Sequence, residues 1–230
     1  MTTIYNFPPI VPRDIKVYAL TSRFAPGISR SGKTNGIPEP NGRWAMDLAW
    51  ARLKNASGSL WYAWFVDALQ GGAAVFQVNL WRHVETVTPE ALGLTDLTAL
   101  PWSSGAASPT FSDGTGFAFQ PTATVTAVAL AGTARVSVDT GDYGQVLKPG
   151  HLIGFGDGVN RVMDIEWTGS VADITLRLPL RSSLAPDDPM RFWPRMLVQA
   201  APSSVDTFRA LHDFGQFTRP GAITFEEYEA

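Results

Sequence analysis

The chain has 230 residues, a hydrophobic fraction of 45% and a formal net charge of −3, which suits a globular protein of one or two domains and excludes a disordered chain. Because the sequence contains no cysteine, it can form neither a disulfide framework nor a thiolate metal site, and it has no cysteine nucleophile. The acidic charge balance, with no run of Lys or Arg, argues against nucleic-acid readout, which needs a cationic surface to release counterions.

The first residues, MTTIYNFPPIVPRDIKVYAL, lack a basic segment followed by an unbroken apolar stretch. We therefore expect no signal peptide. The apolar stretches elsewhere are too short for a membrane-spanning helix, so a soluble protein without membrane insertion is predicted. Gly and Pro recur along the whole chain, 21 and 17 in number. Short alternating segments between such turn residues are typical of a mainly-β protein.

The N-terminal part of the chain predicts strands that flank one helix. Residues 15–24 form a candidate strand. In residues 43–50, the large apolar side chains of Trp44, Met46 and Leu48 alternate with other residues, which is the pattern of a strand buried on one face.

A helix is predicted over about residues 56–70. Asn55 or Ser57 can cap its start, and Gly71 with the glycine after it is a typical C-terminal signal. A strand over residues 74–81 follows. The apolar residues at helical spacing predict one face that packs on the sheet. That face consists of Leu60, Trp61, Trp64, Phe65, Ala68 and Leu69.

A second β-rich region follows residues 103–121, which are rich in Ser, Gly and Pro and form a candidate domain boundary. This region contains six short candidate strands, a number and a length that are typical of a small closed barrel. The candidate strands cover residues 122–128, 134–139, 151–155, 160–167, 173–180 and 190–199.

The two remaining candidate strands, residues 208–211 and 223–228, are too few to fold alone, so we expect them to return to the first domain. The predicted first domain therefore consists of residues 1–102 and 203–230, as a β-sandwich or split barrel with one amphipathic helix. Residues 103–202 are predicted to be an inserted, β-barrel-like domain.

Residues 27–34 read Gly-Ile-Ser-Arg-Ser-Gly-Lys-Thr and match the P-loop pattern G-x-x-x-x-G-K-[ST]. A P-loop needs a helix that begins directly after it, so that backbone N–H groups and the helix dipole bind phosphate. Two Pro and two Gly in residues 35–42 forbid that helix. We therefore predict no nucleotide site, but an inter-subunit loop in which Arg30, Lys33 and Glu39 contact a neighbouring chain.

The triplet Asp139-Thr140-Gly141 resembles the active-site triplet of aspartic proteases, whose chemistry needs two copies, and the sequence holds one. A turn at a strand end is the favoured interpretation. A homodimer could supply the second copy, so an aspartic protease centred on Asp139 stays an alternative function. Asp164 and Glu166 lie two apart on a predicted strand, where an exposed acidic edge is favoured over a glycosidase pair.

Residues 154–158, Gly-Phe-Gly-Asp-Gly, lack the spacing of a dinucleotide loop and predict a hairpin turn. His83, His151 and His212 show no metal-ligand spacing. We therefore predict no cofactor, no metal and no enzymatic activity.

Several stretches resemble tail proteins of long-tailed phages. Residues 42–44, Gly-Arg-Trp, with residues 60–69 and Phe76, resemble the N-terminal domain of siphophage distal tail proteins and related minor tail proteins. Residues 147–158 resemble a hairpin common in tail proteins of phages and gene transfer agents. The apolar strand and acidic tail of residues 221–227 resemble the end of such proteins.

The resemblance implies a virion protein of the tail tip, assembled in the host cytoplasm. Its first domain would form an oligomeric ring, expected to be a hexamer, between the tail tube protein and the tip hub protein. The inserted domain would support fibres or receptor-binding proteins. A second alternative, besides the protease, is a carbohydrate-binding module that presents Trp167 or Phe155 to sugars of the host surface.

Overall fold

The structure of the chain is a computed structural model. The residues that it describes are 4–7, 12–20, 23–24, 37–38, 42–50, 56–70, 74–80, 85–94, 121–201, 211–213, 217–219 and 222–228. They form the strands β1 (Ile4–Asn6), β2 (Asp14–Leu20), β3 (Arg23–Phe24), β4 (Ile37–Pro38), β5 (Arg43–Ala49), β6 (Val75–Asn79), β7 (Thr122–Val125), β8 (Arg135–Asp139), β9 (Leu152–Phe155), β10 (Gly158–Thr168), β11 (Val171–Leu176), β12 (Pro189–Arg191), β13 (Arg195–Ala200), β14 (Leu211–Asp213), β15 (Phe217–Arg219) and β16 (Ile223–Glu227).

One α-helix, α1 (Ala56–Gln70), and one turn of 3₁₀ helix at Gly141–Tyr143 complete the described secondary structure. The predicted mainly-β class is confirmed, and so is the helix predicted over about residues 56–70. No helix of the described residues is long and apolar enough to cross a membrane.

The chain divides into two compact units, one formed by residues 1–79 together with 195–230 and the other by residues 80–194. In the first unit six strands form one sheet in the order β1-β6-β13-β16-β5-β2. The pair β1–β6 is parallel and the other pairs are antiparallel. Two short antiparallel pairs, β3–β4 and β14–β15, also belong to this unit. The main element of the described part of the unit is therefore an open mixed sheet of six strands with a helix, where a sandwich or split barrel was predicted.

Trp44, Met46 and Leu48 of β5 are buried as predicted, but Ala45 on the opposite face is buried too, so the alternation is only partial. The last strand, β16, pairs with β5 and β13 and so lies inside the sheet. The two ends of the chain therefore belong to the same sheet.

Helix α1 packs on this sheet through Tyr62, Phe65, Val66 and Leu69, which are all buried. These positions follow the i, i+3, i+4, i+7 spacing of a single helix face. The centroid of the Phe65 ring lies 5.0 Å from that of Phe76 on β6. Edge-to-face contacts of this kind add to the free energy gained by burying the rings.

The predicted packing face of α1 is wrong for part of its residues. Phe65 and Leu69 are buried as expected, but Leu60, Trp61 and Trp64 are exposed. Apolar side chains occur almost all around this helix, so helical spacing alone fits more than one face.

The second unit is a closed six-stranded barrel in the order β10-β11-β8-β7-β12-β9. Strict alternation along β11 places Ala172, Ile174 and Leu176 in its core. The hairpin predicted between residues 122–128 and 134–139 is confirmed as the antiparallel pair β7–β8.

Gly154 on β9 marks a close approach of backbone segments in the barrel. A Cβ atom at this position would lie 2.9 Å from Cβ of Pro194 and 3.3 Å from the carbonyl oxygen of Gly158. Both distances are shorter than an ordinary van der Waals contact, so a larger residue here needs the backbone to move.

The borders of the two units lie at 79/80 and 194/195, whereas the sequence analysis placed them at 102/103 and 202/203. Two contacts explain the first border. Val87, Leu92 and Leu94 lie in the barrel core, and Arg161 of β10 forms an ion pair of 2.7 Å with Glu85. Residues 85–94 are thus part of the barrel unit. The predicted linker at 103–121 lies almost entirely outside the described residues.

The second border divides the predicted strand 190–199 into two strands. The first, β12, pairs with β7 and β9 in the barrel, while β13 pairs with β6 and β16 in the six-stranded sheet. Between them, the indole N–H of Trp193 donates to the carbonyl oxygen of Val87 at 2.8 Å. The apolar residues of 190–199 therefore pack in two different cores.

We expect Phe65→Ala to lower the free energy of unfolding by about 3–5 kcal/mol, because it removes a buried ring and leaves a cavity. Leu60→Ala is the matched control in the same helix, with an expected change within about 0.5 kcal/mol because Leu60 is exposed. Urea unfolding in dilute solution measures both. Equal losses in the two variants would contradict the assignment of the buried face.

Candidate functional site

The P-loop pattern at residues 27–34 lies outside the described residues, and so do Arg30, Lys33 and Glu39. Their predicted role as an inter-subunit loop therefore stays a prediction. Near this segment, Ile37 and Pro38 form the strand β4, which pairs with Arg23–Phe24. A P-loop needs its helix at this point in the chain. The strand β4 thus occupies positions at which a P-loop would have its helix.

Asp139 is the last residue of β8 and starts a tight turn. The backbone N–H of Gly141 donates to its Oδ1 at 2.9 Å. This hydrogen bond, followed by one from the Ser170 side chain, lowers the pKa of the Asp139 carboxyl group below its ordinary value. The next residue, Thr140, places its Oγ1 2.7 Å from the carbonyl oxygen of Gly144. The triplet therefore has the geometry of an Asx turn at a strand end.

A protease at Asp139 would need a second carboxylate that shares a proton with the first. The turn stabilises the charged form of Asp139 instead, through donors of its own chain. The sequence offers no second Asp-Thr-Gly triplet. The presence of Asp-Thr-Gly at this position is thus explained by the hydrogen bonds of the turn.

Asp164 and Glu166 both lie exposed on β10, as the interpretation of an acidic edge predicts. Glu166 is the register partner of Asp173 on β11, and the hydroxyl of Ser137 on β8 donates to Asp173. These side chains, together with Arg135, line a groove with a volume of about 300 Å³.

Carboxylates that face each other across two strands repel, so this groove favours cationic groups from solvent. No group of His, Asp or Glu in the described part of the chain is arranged to hold a metal ion. The groove is therefore an acidic surface feature of the barrel.

Gly154 to Gly158 form the predicted hairpin turn. Phe155 and Gly158 are register partners at the ends of β9 and β10, and Gly156 between them has a φ of 57°. A two-residue loop with a left-handed glycine at its first position is typical of a type II′ turn. This prediction is confirmed.

His151 is the histidine whose surroundings the structure describes, since His83 and the side chain of His212 lie outside the described residues. The backbone N–H of Lys148 donates to its Nδ1 at 3.2 Å. Burial, and then the positive charge of Lys148, lower the pKa of the imidazole below its ordinary value. The neutral ring thus has a structural role in this loop.

Phe155 and Trp167, the candidates for stacking on sugars, are both partly buried against the barrel core. Stacking on a sugar needs a ring face open to solvent. Their position gives no specific support to a carbohydrate-binding module.

The main exposed apolar feature of the first unit is a surface that we call the aromatic surface, formed by Tyr5 of β1 and by Leu60, Trp61 and Trp64 of α1. The exposed fractions are 37% for Tyr5, 71% for Leu60, 43% for Trp61 and 39% for Trp64. The Trp64 ring centroid lies 5.8 Å from that of Trp61 and 6.0 Å from that of Tyr5. The three rings therefore form one continuous patch.

Helical spacing alone assigns Leu60, Trp61 and Trp64 to the core, so this surface was not predicted from the sequence. The signal that could have revealed it is the near absence of charge in α1, whose 15 residues include a single charged one, Asp67. A helix that is apolar nearly all round is buried on more than one side. A helix that packs on a sheet through one side is buried on its other side as well when a partner covers that side.

No protein-family model matches the chain, and no curated protein matches its sequence at a significant level.

We expect acid to weaken the Asp139 turn. Since the folded-state pKa lies below the ordinary value of 3.8, the charged carboxylate stabilises the fold above that value, and this contribution is lost as the pH falls through the folded-state pKa. Asp139→Asn should fold at pH 7, because an amide oxygen can also accept the N–H, but its stability should depend less on pH in the acid range.

Urea unfolding of the wild type and Asp139→Asn between pH 2.5 and pH 7 measures this effect. The two curves should differ at pH 7 and approach each other at the acid end. A constant difference would contradict the assignment. Peptide cleavage at acid pH that Asp139→Asn abolishes would instead establish the protease.

His151 predicts a second dependence on pH, near neutrality. Its folded-state pKa lies below the ordinary value of 6.5, so the neutral ring stabilises the fold above 6.5, and this stability is lost as the pH falls toward the folded-state pKa. His151→Gln keeps an acceptor for the Lys148 N–H and removes the titration. Between pH 5 and pH 8 its urea midpoint should vary less than that of the wild type, and an equal variation would disprove the role of His151.

Proposed function

We propose that this chain is a structural, non-catalytic component of the tail tip or baseplate of a long-tailed phage. In this role it forms an oligomeric ring, expected to have six copies, that joins the tail tube to the tip hub and supports fibres or receptor-binding proteins. The observation that carries the assembly role is the aromatic surface of the first unit. An uncharged cluster of exposed large rings is a feature of subunit interfaces rather than of isolated surfaces.

The link to a phage tail comes from the sequence. Residues 42–44, 60–69 and 147–158 resemble tail proteins. The first two stretches belong to the sheet unit and its helix, and the third contains β9 and the hairpin turn of the barrel. The proposal therefore assigns ring formation to the sheet unit and the support of other tail parts to the barrel.

The described residues also support a role without catalysis. The Asp139 carboxylate closes a turn, the His151 ring accepts a backbone N–H, and Asp164 and Glu166 lie on an open strand face. Each of these groups has a structural explanation. In the proposal the protein acts in the virion, and its partners are further copies of itself, the tail tube protein and the tip hub protein.

The purified protein is expected to form a closed ring at micromolar concentration. A hexamer of the 24.9-kDa chain has a mass of about 150 kDa, which sedimentation velocity resolves from a monomer, and negative-stain microscopy should show a particle with a central opening. A protein that stays monomeric at the highest concentration that can be reached would rule out the ring.

A ring alone does not identify a phage tail, so a second test examines the genes next to this one. We expect a tape-measure gene upstream and a large hub gene downstream. A ring-forming protein whose neighbouring genes encode no tail components would keep the assembly role and lose the phage assignment.

A further inference from the structure

The helix α1 has two apolar sides, and the fold of one chain buries one of them. We propose that the other side, the aromatic surface of Tyr5, Leu60, Trp61 and Trp64, binds a second copy of this chain. The inference rests on the proposed ring and names the surface through which one subunit holds the next.

The composition of the aromatic surface is that of the centre of an interface. Tyr and Trp are the residues that contribute most to binding when they are buried, and charged residues are depleted where partners meet. Trp61 and Trp64 lie in contact with each other, and Tyr5 contacts Trp64. Trp64 also lies 6.3 Å from the buried Phe76, centroid to centroid. The rings are therefore held in place by the core and do not need to reorganise when a partner binds.

The edge of the sheet extends this surface. Strand β1 lies at one end of the strand order and pairs with β6 on one side. Ile4 of this strand is also exposed. An edge strand that carries apolar side chains is a template for contact with another chain, and natural monomers avoid leaving it open.

The area of the surface suits a subunit contact. At the exposed fractions found here, Ile4, Tyr5, Leu60, Trp61 and Trp64 present on the order of 500 Å² of side-chain area to solvent. A stable interface buries about 800 Å² of each partner. The aromatic surface therefore provides more than half of the area that one subunit needs, and a surrounding rim can provide the rest.

A second copy of this chain is the partner that the sheet itself favours. Strand β2 lies at the opposite end of the strand order from β1, and its exposed residues are Asp14, Lys16 and Tyr18. The hydroxyl group of Tyr18 donates to Oδ1 of Asp47 at 3.1 Å, which fixes the ring. The two ends of the sheet thus present different surfaces, as a head-to-tail contact requires, and such contacts form rings where the rotation between subunits closes.

The first experiment compares two double variants by analytical ultracentrifugation over a range of concentrations. Trp61→Ala with Trp64→Ala should raise the dissociation constant of the oligomer at least a hundredfold, as the loss of two central rings predicts. Val128→Ala with Leu130→Ala is the control, since these barrel residues are 64% and 66% exposed and should leave the constant unchanged. Far-ultraviolet circular dichroism checks that both variants fold.

The second experiment uses a residue whose change does not disturb the core. Because the chain has no cysteine, Leu60→Cys introduces a single thiol on the aromatic surface, and Leu130→Cys introduces one on the barrel. A maleimide should react slowly with Cys at position 60 in the oligomer and quickly after dilution to the monomer. At position 130 the rate should be the same in both states.

The outcomes separate this inference from the proposed function. A wild-type oligomer that persists in the tryptophan variant, or a thiol at position 60 that reacts equally fast in both states, would disprove the aromatic surface as the interface and leave the ring intact. Dissociation by the barrel variant alone would disprove it too. A wild-type protein that is monomeric at every concentration would overturn the ring, and the inference with it.

Discussion

The packing of Phe65 is the interaction on which the first unit depends. Its ring contacts those of Phe7 after β1, Trp50 after β5, Phe76 on β6 and Phe225 on β16. These positions span the chain from its beginning to its end, so a single side chain of α1 holds together segments that are far apart in sequence. Each edge-to-face pair adds about 0.5–1.5 kcal/mol to the gain from burial. The first and the last strands of the sheet therefore contribute to one core.

The same helix also explains why one side of the unit stays apolar. Helix α1 packs against several aromatic side chains of the sheet and is itself rich in large apolar side chains. It contains hardly any charge that would favour exposure of its outer side to water. Burial of Phe65 and exposure of Trp61 are thus two results of one composition. Proteins that assemble can keep such a surface, because the partner covers it, whereas a monomer exposes it to aggregation. In the proposed assembly, the stability of the subunit and the contact with its neighbour therefore depend on the same short segment.

Sequence patterns predicted the parts of the fold that local chemistry determines. The helix ends follow from cap signals, β11 follows from its alternation, and the turn at Gly156 follows from its need for a left-handed residue. What failed needed tertiary information. The buried face of α1 could not be chosen because apolar residues surround the helix, and residues 190–199 carry one continuous pattern although they serve two cores. The aromatic surface could not be predicted either. Trp61 and Trp64 are apolar in the sequence, and their exposure is a property of the fold. The role of Arg30 and Lys33 stays a prediction.

The barrel enters and leaves the sheet at one point. Asn79, the last residue of β6, and Arg195, the first of β13, are register partners in adjacent antiparallel strands, and at the barrel's own ends the N–H of Leu80 donates to the carbonyl oxygen of Pro194 at 3.0 Å. A tight turn between Asn79 and Arg195 would thus replace the whole of residues 80–194 without altering any pairing in the sheet. The barrel unit is thus an insertion between two adjacent strands of the sheet. A change in the length or the fold of the inserted unit would therefore leave the strand pairing of the sheet as it is.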